Sequence, residues 1–252
     1  MVAFQYHVSD PFASSVAINS VIPFGAFWRS FHFWSSQAFF LLLIYHLWEN
    51  IKDFPLGKKS SKAFYWSVLT TILPLSVLTL FTGYILRGDA TGQSAGMIAE
   101  NLVLKIPVVG IFLNRLLFSM AEEGLNRVYA IHMFFTAFIW GLGTWYHTRK
   151  VNMDWNAWNI SSLSLIIISI FVIAPMDPVE AGAILIKGPW FFLGIQELLR
   201  HFHPLLAGII YPVLPFVLIA ALSWIKSKKP VFIALLFWLT TYIIATIIAL
   251  LR

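Results

Sequence analysis

The sequence contains no cysteine. That excludes disulfides, thiolate-bound clusters and thioether-linked cofactors within this chain, and it leaves the redox compartment open. Charge is also scarce: Asp, Glu, Lys and Arg make up 11% of the residues, where a soluble domain carries about a quarter. With 59% apolar residues over 252 positions and a mean hydropathy of +0.80, there is more apolar side chain than one soluble core can hide. Lipid must be the solvent for much of the surface. The first 26 residues lack a basic start and an apolar core, so no cleavable signal peptide is expected. The net charge of +6 does not point to nucleic acid, because in a membrane chain such charge sits in loops and sets topology. Aromatic residues, by contrast, are abundant. They form 17% of the chain, with 11 Trp, which suits interfacial belts and a large flat ligand.

Six stretches are long and apolar enough to cross a bilayer, each needing roughly 20 residues: about 27–48, 64–86, 127–148, 158–175, 205–225 and 231–251. The predicted fold is an all-α polytopic bundle. Pro74 falls inside the second span, which a membrane helix tolerates when its neighbours re-satisfy the freed backbone groups. Residues 1–26 read as an interfacial segment. The long connection 87–126 includes an amphipathic piece, Ile106–Met120, expected to lie in the interface. The connection 176–204 is rich in Pro, Gly and aromatics. Six spans place 49–63, 149–157 and 226–230 on one side, with nine basic and three acidic residues between them, while the rest of the chain balances eight against eight. Short basic loops face the cytoplasm, so both termini and the two long connections are expected on the opposite, positive side.

Histidine inside an apolar span costs solvation free energy unless it has a partner. Four of the seven histidines lie in two spans: His32 and His46 are 14 residues apart, His132 and His147 are 15 apart. At about 100° and 1.5 Å per residue, those spacings leave rotations of roughly −40° and +60° and separations of about 21–22 Å. Each helix therefore offers two imidazoles on nearly one face at two depths. Facing helices would pair His32 with His132 and His46 with His147. Paired imidazoles across a gap suit the axial positions of an iron porphyrin. Hydrogen-bonded packing and a proton relay are the competing readings of any single histidine. A tetrahedral zinc ion cannot collect four ligands held at two depths.

At these residues the chain resembles the cytochrome b family of quinol–cytochrome c and plastoquinol–plastocyanin oxidoreductases, especially cytochrome b6 joined to its subunit IV. Ser9–His32, SDPFASSVAINSVIPFGAFWRSFH, is similar to the family's surface segment and the opening of its second helix, with Arg-x-x-His. Trp66–Tyr84 ends in Thr-Gly-Tyr like the third helix, and Ile106–Gly110 resembles the connecting helix after it. Asn126–His132, NRVYAIH, resembles the start of the fourth helix. Lys187–Arg200, KGPWFFLGIQELLR, resembles the quinol-site loop of subunit IV, and Lys229–Pro230 precedes a last helix in the same way.

The resemblance implies two haem b groups, held by His32 and His132 near the positive side and by His46 and His147 near the negative side. It divides the chain into an interfacial segment (1–26), a dihaem b6-like bundle (27–157) and a subunit IV-like region (158–252). Arg29 and Arg127 would lie at the surface as propionate partners or as interfacial anchors. Gly83 would permit close approach to a ring or neighbour, or simply end its helix. Trp190, Phe191 and Phe192 would line a quinone slot.

Three departures from the family pattern bear on function. The family's opening transmembrane helix has no counterpart before Ser9, so a partner subunit is expected to supply one. The Pro-Glu-Trp-Tyr motif reads Gly188-Pro189-Trp190-Phe191, which removes the carboxylate expected to take the quinol proton; Glu197 is the candidate substitute, against a plain surface charge. The Leu-Pro-Trp-Asp-Gln motif reads Leu86-Arg87-Gly88-Asp89-Ala90, retaining Asp89 as a second candidate for proton transfer. His201, His203 and His7 read as interfacial polar residues.

The expected function is a redox subunit exchanging electrons between menaquinone or ubiquinone and a peripheral iron–sulfur protein or c-type cytochrome. By resemblance it would be a homodimer within a larger complex of a bacterial cytoplasmic membrane. The alternative is a haem-containing anchor for a soluble redox protein, without its own quinol-oxidation site. A histidine proton relay in a transporter is the third, haem-free reading.

Overall fold

The computed structural model describes residues 6–53, 60–117, 119–120, 124–146, 148–149, 152, 154–178, 186–225 and 227–252. Helices occupy all six expected stretches. Asp10 opens α1 (Pro11–Ser20): its carboxylate accepts from the Ala13 N–H, and Pro11 fills a first-turn position whose missing N–H costs nothing. The chain then reverses tightly through Phe24, at a φ of 59°. Gly25 follows because a Cβ there would sit 1.9 Å from the Ile18 carbonyl oxygen. The helix that results, α2 (Gly25–Asp53), has 29 residues, or about 44 Å, enough to cross a hydrocarbon core of about 30 Å.

The second span divides into α3 (Ser60–Thr70) and α4 (Ile72–Leu86). The break at Thr71 lies where Pro74 withholds an N–H and its ring crowds the preceding turn. α4 is the centre of the bundle. One of its faces joins Phe40, Trp66, Phe191, Leu222 and Val231 in a core through Leu73, Leu80 and Tyr84. The other packs Phe81, Ile85 and Leu86 on Ala95 and Val128.

The connection 87–126 is more ordered than its sequence suggested. Asp89 caps α5 (Ala90–Leu104) by accepting from the Gly92 N–H at 2.9 Å. The amphipathic piece expected over Ile106–Met120 is correspondingly shorter, α6 (Gly110–Leu117). Pro107 and Val108, at a φ of 66°, turn the chain before α6 begins. α7 (Gly124–Ile139) continues directly into a wide π turn, Trp140–Tyr146.

The fourth span, expected at 158–175, is α8 (Trp155–Phe171). It starts early because Asp154 accepts from the N–H groups of Asn156 and Ala157. It ends early because residues 172–175 run extended along α2. There the Val172 carbonyl accepts from Trp34 Nε1, and the Ala174 N–H donates to the buried Ser30 hydroxyl.

A 3₁₀ turn (Trp190–Phe192) leads into α9 (Leu193–Leu198). The fifth span opens as a π turn (Leu206–Ile210), in which the Tyr211 N–H reaches the Leu206 carbonyl, and continues as α10 (Tyr211–Ala221). Pro212 and Pro215 account for that widening, since each removes an N–H from the regular ladder. α11 (Lys229–Leu251) closes the chain and packs on α9 and α10.

Among the described residues, two helical segments, Phe64–Leu86 and Lys229–Leu251, are both long and apolar enough to cross a membrane; Trp155–Phe171 and Leu206–Ala221 are shorter apolar helices. Along α8 and α11, Leu163, Phe171, Leu236 and Phe237 are all more than half exposed. An outward apolar face this extensive is suited to lipid and not to water.

Candidate haem and quinone sites

α2 and α7 present His32 and His132 to each other beside α4. The ring centroids are 6.3 Å apart and the planes lie at 70°. The His132 ring is anchored at one nitrogen: Nδ1 lies 3.1 Å from the Thr79 carbonyl oxygen and 3.0 Å from Thr82 Oγ1. A carbonyl only accepts, so Nδ1 carries the proton and Nε2 keeps the lone pair that binds a metal. Thr82 is almost wholly buried and its hydroxyl also reaches the Leu78 and Thr79 carbonyls, which fixes the ring's orientation. Gly83 completes the seat. A Cβ at that position would stand 3.2 Å from His132 Cε1, so the close approach this glycine permits is to the imidazole itself.

These residues fit an iron held between two imidazoles. A metal–imidazole bond of about 2.0–2.1 Å and a ring radius of about 1.1–1.2 Å, set by the ring's bond lengths, place two axial rings roughly 6.3 Å apart. Among the described residues no group of three His, Cys, Asp or Glu converges on one point. Any metal here must therefore bring its remaining ligands with it, as an iron porphyrin does.

His46 lies 14 residues along α2 and is exposed on the helix surface. Asn50 sits beside it, donating to the His46 carbonyl at 2.7 Å and standing 3.3 Å from Nε2. His147, the expected counterpart, lies outside the described residues. The two arginines differ in their engagement. Arg29 donates through Nε to Asn19 Oδ1 at 2.7 Å and through Nη2 to the Ala174 carbonyl, so it ties α1 and the extended 172–175 segment to α2. Arg127 is exposed near the start of α7.

A cavity of about 380 Å³ opens on the other face of α4, between α5, α6, the 186–199 segment and α10. Its walls are almost entirely apolar, Pro74, Phe81, Leu102, Phe192 and Phe216 among them, with Thr91, Ser94 and Gln196 as the polar exceptions. Volume and lining match a site for a small apolar ligand oriented by a few polar groups. Of the three aromatics expected in a quinone slot, Phe192 lines this cavity. Trp190 and Phe191 do not. Trp190 Nε1 donates to Gln37 Oε1 at 2.8 Å, and Phe191 is buried against Phe40 and Tyr84. The 3₁₀ turn rotates successive residues by about 120°, which separates the three rings.

Both carboxylates singled out for proton transfer are committed elsewhere. Asp89 is fully buried; it caps α5, accepts from the Asp177 N–H at 3.0 Å and pairs with Arg87 at 2.6 Å. Glu197 is buried away from the cavity wall. It meets His201 at 3.0 Å, Arg252 at 3.1 Å and Arg200 at 3.7 Å. The hydrogen bond from His201, with the charges of Arg252 and Arg200, holds its carboxyl below the usual range. His203 Nδ1 accepts from the Leu205 N–H, and the His7 carbonyl closes the turn into α1, as befits interfacial residues.

Sequence reasoning missed Thr79, Thr82 and Gln196. Thr82 stood beside a flagged glycine, but nothing in the spacing alone said that its hydroxyl would meet a ring fifty positions away.

A multi-helix bundle with two opposed imidazoles, an apolar cavity alongside and outward apolar helix faces defines an all-α helical protein of membrane type. Residues 1–153 match the family model described as cytochrome b/b6/petB, and the chain belongs to that family. It is 25% identical over 239 residues to cytochrome b of Bugula neritina, covering 81% of this chain and 64% of that protein. It is 31% identical over 130 residues to cytochrome b6 of Synechococcus sp. (strain WH7803), covering 50% and 59%. The chain thus spans about three-fifths of the length of the curated relatives it matches. A solved structure titled "Hyperthermophilic respiratory Complex III" has the same fold, with a TM-score of 0.64 at 18% identity, over 98% of this chain and 78% of that one.

Proposed function

We propose that the chain is a dihaem cytochrome b subunit, crossing a bacterial cytoplasmic membrane six times with both termini on the positive side. It carries electrons between a quinone pool and a peripheral iron–sulfur protein or c-type cytochrome. The opposed His32 and His132 rings, 6.3 Å apart, are the observation that supports this most directly. In this reading they hold one haem b, and His46 with His147 holds the second. The haems supply reversible one-electron chemistry. The protein's own contribution is orientation and exclusion of water. Thr79 and Thr82 fix the tautomer of His132, Gly83 leaves room for its ring, and the apolar cavity receives menaquinol or ubiquinol. A partner helix and a second copy of the chain complete the complex, as the family resemblance implies.

One observation favours a second reading, in which the chain holds haem but only anchors a redox partner. Among the described residues, no acidic or histidine side chain lines the cavity, and Pro189 stands where the family's motif carries a carboxylate.

A haem count on the purified complex decides. Two haem b per chain, partly reduced by added quinol and fully by dithionite, is the expected result, with His46→Ala retaining one. Haem that quinol leaves oxidised would favour the anchor. A preparation without haem would refute both.

A further inference from the structure

A quinol bound in the cavity must release protons through a wall on which, among the described residues, no side chain is a base. The three polar wall residues differ in what they can do. Gln196 is committed at both ends, its Oε1 accepting from the Gly188 N–H at 2.8 Å and its Nε2 donating to the Ile186 carbonyl at 2.7 Å. Ser94 makes no hydrogen bond to a carboxylate. Thr91 is buried at 5% exposure and lines the cavity, and its hydroxyl donates to Asp177 Oδ2. The Lys187 carbonyl lies 3.3 Å from the same hydroxyl. The Asp177 side chain is 51% exposed. One hydroxyl therefore joins the cavity wall to a carboxylate that meets water.

Resting on the quinone reading above, we infer that Thr91 and Asp177 form the proton exit of the cavity, in place of the carboxylate lost at Pro189. A hydroxyl has one donor and two acceptor lone pairs, so Thr91 can accept from a quinol O–H while donating to Asp177. The quinol O–H bond breaks as a proton moves to Thr91 Oγ1, and the Thr91 proton passes to Asp177 Oδ2. The bonding pair stays on the quinol oxygen. The quinol anion so formed is the electron donor, and a haem held by His32 and His132, or an iron–sulfur partner in its oxidised form, would be the one-electron acceptor; Asp177 returns its proton to water.

Among the described residues, the charged and titratable groups facing Asp177 are Arg87, Asp89 and the Tyr84 phenol. Arg87 lies 3.3 Å from Asp177 but 2.6 Å from Asp89, so its charge is answered mainly by Asp89 and Asp177 remains able to accept. Arg87 also rests 4.5 Å above the Tyr84 ring, and Asp89 holds the Asp177 backbone N–H at 3.0 Å. Asp177 is thereby fixed at its backbone with its side chain open to solvent.

The test is stopped-flow reduction of the haems in the purified complex by a short-chain menaquinol or ubiquinol, across a pH series. Wild-type reduction is expected to quicken with rising pH, because the relay must hand its proton on to water. Asp177→Asn and Thr91→Val should slow it on the order of a hundredfold, the scale of a lost acid–base group, and abolish that pH dependence while dithionite still shows full haem content. Thr91→Ser, which keeps the hydroxyl, should restore both rate and profile. Unchanged rates in both variants would overturn the relay. So would a slowing equal at every pH that Thr91→Ser fails to restore, since that is the mark of a purely structural role. If quinol does not reduce the wild-type haems, the quinone reading itself fails, and the relay with it.

Discussion

Gly83 stands where α4 and α7 touch, and the space it leaves is filled by the His132 imidazole, 3.2 Å from where a Cβ would be. A methyl there forces a small ring shift; a larger side chain evicts the ring from its contacts with Thr79 and Thr82. Gly83→Ala should keep both haems while moving the midpoint potential of one. Gly83→Leu should lose that haem, read as a fall from two haems to one by extraction. Retention of both in the leucine variant would mean that His132 does not need this seat. Glu197 makes a different case at the same scale. Its carboxyl is held low by the His201 hydrogen bond and then by Arg252 and Arg200. A depressed carboxyl contributes stability above its unfolded pKa and loses it as pH falls through the folded value. Glu197→Gln should therefore lower the melting temperature at pH 7. The gap to wild type should close below about pH 4, under the ordinary glutamate range. Quinol-driven haem reduction should be untouched, because Glu197 faces the end of α11 and not the cavity.

At the scale of elements, α5 depends on a single buried carboxylate. Asp89 caps its N-terminus, pairs with Arg87 and holds the backbone of Asp177. Removing it leaves the Arg87 charge, whose side chain is 11% exposed, to the more distant and half-exposed Asp177 at 3.3 Å. Breaking one half of a buried pair costs about 3–5 kcal/mol. Asp89→Ala should produce a marked drop in melting temperature together with increased proteolysis over 87–105; a variant as stable as wild type would show that the pair contributes nothing. At the same scale, α7 runs into a wide turn at Trp140–Tyr146, where a π turn takes up about one extra residue of advance. It was not legible beforehand because a helical ladder's slip by one residue leaves no reliable mark in composition.

For the whole molecule, α4 is the shared wall between the histidine pair and the cavity. One face holds the His132 ring through Thr79, Thr82 and Gly83. Pro74, Val77, Leu78 and Phe81 line the cavity. A quinol in that cavity and a haem between α2 and α7 would thus be separated by one helix, a short path for an electron. The second histidine level, about 21 Å further along α2 by helical rise, would extend that path toward the opposite membrane face.

The sequence alone determined the helix positions, because runs of apolar residues long enough to cross lipid are set by composition and need no tertiary contact to be recognised. It also pointed to His32 and His132, whose rings stand 6.3 Å apart, because periodicity places side chains on a helix face whatever lies opposite. Which residues surround those side chains was decided only in three dimensions. Thr82 meets His132 from fifty residues away. Phe191 turns into the core and Trp190 toward Gln37, while of the three only Phe192 lines the cavity, since a 3₁₀ turn splits neighbours that sequence places together. Glu197 points to Arg252, and Asp177 to Thr91, because a carboxylate settles on the nearest donor that folding brings within reach, and that distance is not written in the order of the chain.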